Sequence, residues 1–129
     1  MPTQYFILGL TTAALLAALP ATADNRSRVE AFPLPNGTFE VVAQFSEDAL
    51  YWCGASVAAQ GLAGSTQRIY VLQGPGPSSA APGKRAVVFG LTPPAGAGAP
   101  SFSNSVEVVG NSLTLVQARQ TCNERSASG

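Results

Sequence analysis

The chain has no histidine and one lysine, Lys84. Without imidazole, Ser-His-Asp and Cys-His nucleophile systems are excluded, as is the side chain that most often serves as a general base near pH 7. Cysteine is scarce too, with Cys53 and Cys122 alone. Zinc or copper sites built from His and Cys therefore lack ligands once those two thiols pair with each other. Charge is low and balanced, seven basic against seven acidic residues, and no polybasic run exists to seek phosphate or anionic lipid. Nucleic acid is not an expected partner. Neither metal nor cofactor is implied.

Charge is missing altogether from residues 1–23. Phe6 to Ala18 is an apolar stretch of signal-peptide length, shorter than a membrane span. Pro20 breaks any helix, and Ala21-Thr22-Ala23 supplies the small residues of a cleavage site. Residues 1–23 are thus predicted to be a signal peptide cut before Asp24, leaving no membrane-inserted segment. The expected location is periplasmic or secreted. In that oxidising setting Cys53 and Cys122 are expected to form one structural disulfide, since a redox pair is normally close in sequence. It would close a loop of roughly 70 residues and contribute about 4 kcal/mol by the chain-entropy argument.

Residues 24–37 read as an extended lead-in, because Pro33 and Pro35 remove ladder donors; such a segment suits a sheet edge. Asn36-Gly37 is a turn signal. Thr38 to Phe45 alternates apolar and polar residues and predicts the first strand. A helix is expected over 47–60, capped by Ser46, with Glu47 and Asp48 in its first turn, Leu50, Cys53 and Val57 on its inner face, and Gly61 beyond its end. Gly54 inside it predicts a close approach by another backbone, from a sheet beneath the helix or a second helix crossing it. Further strands are expected over 67–73, 84–91 and 105–109, with loops over 74–83 and 92–100. Thr114 and Gln117 form a T-x-x-Q capping box that opens a last helix over 115–122, with Leu113 and Ala118 as its staple. Residues 123–129 read as a tail.

The expected fold is α+β: residues 38–122 form one small two-layer domain, β-α-β-β-β-α, with two helices on one face of a mostly antiparallel four-stranded sheet. Its motifs carry little chemistry. Gly74-Pro75-Gly76-Pro77-Ser78-Ser79 follows a strand as a phosphate loop does, but proline deletes the amides that would cradle an anion, and no Lys-Ser/Thr follows. Glu47 and Asp48 could be read as an acid–base pair, yet adjacent helical residues point apart and the pair suits a helix N-terminus. Lys84 reads as an edge-strand charge. Asn25-Arg26-Ser27 and Asn36-Gly37-Thr38 match a glycosylation sequon relevant only to a eukaryotic secretory route.

Tyr51-Trp52-Cys53-Gly54-Ala55 is the most distinctive string, and Trp52, the only tryptophan, suits either core packing beside the bridge or a partner anchor. Together with R-I-Y-V, the G-P-G-P-S loop and the late A-R-x-x-C, it resembles a set of small bacterial exported proteins of unknown function. The resemblance implies a bridged scaffold and an exported location, and no activity. The function expected from these residues is a non-catalytic exported binding or structural module, its partner an envelope or secreted protein. A small-ligand-binding periplasmic protein is the alternative, and an enzyme with carboxylate chemistry a third reading. Partner-contact candidates, from the enrichment of Trp, Tyr and Arg at interfaces, are Tyr51, Trp52, Arg68, Tyr70 and Arg85.

Overall fold

The structure, a computed structural model, describes residues 24–98 and 103–124. The proposed signal peptide and most of the proposed tail lie outside these residues. Five strands, β1 (Val29–Pro33), β2 (Phe39–Ala43), β3 (Arg68–Pro77), β4 (Arg85–Gly90) and β5 (Ser112–Thr114), form one antiparallel sheet in the order β1-β2-β4-β3-β5. Helix α1 (Asp48–Ala59) packs on β1, β2 and β4. Helix α2 (Leu115–Gln120) packs against α1 and continues into a 3-10 turn over Thr121–Asn123. The α+β class is as expected. The sheet has five strands rather than four, and the order is β-β-α-β-β-β-α.

Two corrections account for that difference. Residues 24–37 are not a plain lead-in: they contain β1, which pairs with β2 from Val29↔Ala43 to Pro33↔Phe39 around the turn at Asn36 and Gly37, both at positive φ. An Asn-Gly turn between paired strands is a hairpin signal, and Pro33 does not prevent pairing because its nitrogen faces away from β2. The expected strand over 105–109 is absent. There, side chains bond their own backbone: Ser103 Oγ accepts from the amide of Ser105, Ser105 Oγ from that of Glu107, and Asn111 Nδ2 donates to the carbonyls of Ser103 and Ser105. Such local bonds compete with ladder formation and override the strand preference of valine. Val108 is 59% exposed. Bonding to β3 begins at Gly110, whose amide donates to the Val71 carbonyl (2.8 Å), and continues through Asn111 into β5.

Smaller departures follow the same physics. β3 runs on through Gly74-Pro75-Gly76-Pro77, residues expected in a loop, and accommodates them by shifts of register after Val71 and Gln73. The N-cap of α1 is Glu47, not Ser46, whose hydroxyl accepts from Tyr51 Oη at 3.4 Å. Val57 is 40% exposed, while Leu50 and Cys53 are buried. The close approach at Gly54 comes from side chains and not from the expected backbone: a Cβ there would collide with Val41 Cγ1 and lie 3.3 Å from Val29 Cβ. The capping box forms at both ends, Gln117 N to Thr114 Oγ1 (3.1 Å) and Thr114 N to Gln117 Oε1 (2.9 Å).

Inward-facing Phe39, Val41, Val71, Val87 and Phe89 meet Trp52, Ala55 and Ala59 of α1 in one core. Trp52 and Phe89 rings lie 5.0 Å apart between centroids, tilted, an arrangement aromatic pairs favour. Cys53 and Cys122 are bonded and fully buried, tying α1 to the chain just beyond α2. A disulfide of this kind belongs to a compartment outside the reducing cytoplasm. No helix among the described residues is long and apolar enough to cross a membrane.

Candidate functional site

The five partner-contact candidates do not come together. Tyr51 and Trp52 are buried, and Trp52 Nε1 donates to the carbonyl of Asn104 at 2.6 Å, closing the core against the 103–111 segment. Arg68 and Tyr70 share the sheet face away from α1 and are half-buried. The Arg68 guanidinium reaches across to β5, donating to Ser112 Oγ (2.8 Å) and the Ser112 carbonyl (3.1 Å). Arg85 is exposed and donates to the carbonyl of Pro75 at 3.2 Å.

A polar cluster invisible in the sequence lies on the outer face of β2. Glu40 is 3% exposed, yet its carboxylate accepts from Ser78 Oγ (2.5 Å), Ser79 N (3.0 Å), Ser79 Oγ (3.0 Å) and Ala80 N (3.2 Å). The Ser78-Ser79 end of the G-P-G-P-S-S segment, with Ala80, thus does cradle an anion, and the anion is the protein's own. Desolvation pushes the Glu40 carboxyl up, but the bonds from Ser78, the two amides and Ser79 together outweigh it and hold the group below the usual glutamate range. Only one thickness of loop covers the carboxylate, so it is inaccessible without being deep.

Asp48 shows the opposite trend. Burial, and then the neighbouring Glu107 carboxylate, push its pKa up against a hydrogen bond from the Val106 amide. The bond from Val106 ties the start of α1 to the 103–111 segment, and Glu107 lies beside the groove that holds Arg85.

The geometry best suited to contact with another molecule is the free edge of β1. Gln44 N donates to the Arg28 carbonyl (2.8 Å) and Leu34 N to the Thr38 carbonyl (2.9 Å), extending the β1–β2 register at both ends. Bonded pairs alternate in an antiparallel ladder, so Glu30 and Phe32 turn their peptide groups toward β2. Val29, Ala31 and Pro33 turn theirs outward, and among the described residues no hydrogen bond to the backbone of Val29 or Ala31 is made from that side. Proline in this phase costs the sheet nothing, which is why Pro33 is tolerated.

A groove lies on each face beside this edge. On the outer face, one of about 250 Å³ is lined by Arg28, Glu30, Val42, Ala81 and Lys84 among others. Neither Arg28 nor Lys84 forms an ion pair among the described residues; the bond from Arg28 to Asn25 Oδ1 is long, at 3.5 Å. On the helix face, a groove of about 270 Å³ is lined by Ala31, Pro33, Leu34, Phe39, Ala58 and Leu62, mostly apolar, with Leu62 63% exposed. Sequence reasoning put residues 24–37 against a sheet edge but did not read β1 as a strand, because of its prolines; the Asn-Gly turn was the signal that could have revealed it. No protein family, curated protein or solved structure matches the chain.

Proposed function

We propose that this protein is a non-catalytic exported module that binds an envelope or secreted protein, with the bridged core as a rigid mount. The observation that carries the reading is the outer edge of β1, which no strand of the described residues pairs and which has a groove on each face, on a sheet backed by α1. Export rests on the uncharged apolar leader and its Ala-Thr-Ala end, and is in keeping with the Cys53–Cys122 bridge. The resemblance to small bacterial exported proteins points the same way. A small-ligand role is less well supported, since the two grooves beside β1 fall just below the roughly 300–1,000 Å³ of ordinary ligand pockets and the groove beside Arg85, about 400 Å³, is wide open to solvent.

The reading is tested by affinity capture from the envelope fraction with the native protein, followed by titration of each captured protein in purified form. A saturable one-to-one complex that charge reversal at Arg28 and Lys84 weakens is the expected result. Recovery of no protein that binds saturably when purified would overturn the reading.

A further inference from the structure

We infer that β1 takes its partner by strand addition, and that the segment added is an extended peptide carrying an acidic side chain and an aliphatic one an odd number of residues apart. The inference rests on the binding-module reading and names the chemistry of the partner.

The backbone sets the mode. Val29 and Ala31 each offer an outward N–H and C=O, and Pro33 a carbonyl, so one extended segment can make up to five ladder bonds. Main-chain bonds of this kind supply affinity without regard to sequence, and flanking pockets for alternate side chains supply the preference. Glu30 and Pro33 limit how much edge is on offer, as charges and prolines do on strands guarded against indiscriminate pairing. What is left open is short and flanked by grooves rather than flat.

The grooves set the sequence. Successive residues of an added strand point to opposite faces. The outer groove lies beside the start of β1, Ser27 to Glu30, and the apolar groove beside its end, Ala31 to Leu34. One side chain therefore enters each groove only if the two residues are separated by an odd number of positions. The outer groove holds two cations, Arg28 and Lys84, against one carboxylate, Glu30, and so favours an acidic chain long enough to reach across β1. Ala58, Leu62 and Leu34 favour a branched aliphatic chain in the other.

The probe is a pair of capped threonine octapeptides bearing one glutamate and one leucine three positions apart, in either order, titrated into isotope-labelled exported protein. For at least one order, saturable shifts and slowed exchange are expected at the Val29 and Ala31 amides. Placing leucine two positions from glutamate, or replacing glutamate by lysine, should weaken binding at least ten-fold. Ala31→Pro removes an outward donor and no ladder bond to β2, and should abolish binding. Should that variant not fold, Lys84→Glu reads the same site from the surface, and should reverse the preference from glutamate to lysine. No saturable binding at millimolar peptide, binding that Ala31→Pro leaves intact, or a preference that Lys84→Glu does not alter, each overturns the inference. A dimer of the protein that Ala31→Pro dissolves also overturns it, in favour of edge pairing between copies. A captured partner indifferent to Ala31→Pro refutes strand addition alone; the absence of any saturable partner refutes the module reading as well.

Discussion

Replacing Glu40 by Gln tests whether the carboxylate under the 78–81 loop holds that loop to the sheet. Four donors converge on it, two hydroxyls and two amides. A carboxamide keeps the shape but loses the charge, and turns an NH2 toward one amide, which cannot accept from it, and one hydroxyl, which can do so only by rotating its own proton away. Hydrogen bonds to a charged group contribute about 1.5–3 kcal/mol each, and an unsatisfied buried donor costs about 1–3 kcal/mol. Since a hydroxyl can rotate to another partner while a backbone amide cannot, the expected loss is about 2–4 kcal/mol, or about 10–20 °C in Tm for a domain of this size. The pH dependence has a fixed sign. The folded-state pKa of Glu40 lies below its unfolded value, so its contribution is fully present above the ordinary glutamate range, near 4.5, and fades as pH falls through the lower folded value. Urea unfolding from pH 7 to pH 2.5 should therefore show wild type and variant converging in acid, and amide exchange should show Ser79 and Ala80 deprotected first. A difference under 0.5 kcal/mol at pH 7, or one constant across that pH range, would refute the reasoning.

Cys53→Ser or Cys122→Ser should cost about 2–5 kcal/mol in denaturant unfolding, because the bridge spans 69 positions of sequence and restricts the unfolded chain; labelling of both thiols by an alkylating agent in denatured, unreduced protein would contradict the bond. Gly54→Ala should destabilise despite a helix-propensity gain of about 1 kcal/mol, since overpacking against Val41 costs about 1–3 kcal/mol. Adding Val41→Ala makes room, so a double-mutant cycle should show favourable coupling between the two changes, and its absence would contradict the contact. The exported form should begin at Asp24, and N-terminal sequencing that finds Met1 in that pool would disprove processing.

Much of the scaffold was legible because its determinants are local. The carboxylates ahead of α1, the Thr114/Gln117 box and the alternation of β2 and β4 each act within one or two turns or a few residues of strand. The cysteine pair was legible by elimination, there being only two. Gly54 showed that something must come close, but only packing decided that it was Val41.

What the sequence could not settle depends on residues far apart along the chain. Nothing about Glu40, flanked by Phe39 and Val41, separates it from any solvent-facing strand glutamate; its donors stand 38 to 40 positions away. Val106 to Val109 have a strand's composition, and serines bonded to nearby amides, with Asn111 holding the turn, decided otherwise. β1 depended on phase: a proline in a strand is excluded or harmless according to which way its nitrogen points, and register with β2 alone fixes that direction. The same register turns the peptide groups of Val29 and Ala31 outward and sets a basic groove and an apolar one on opposite faces beside them. Local chemistry determined α1, α2, β2 and β4, and the count of cysteines left one possible pair, whereas the pairing of β1 and the direction in which each group points are properties of the assembled sheet.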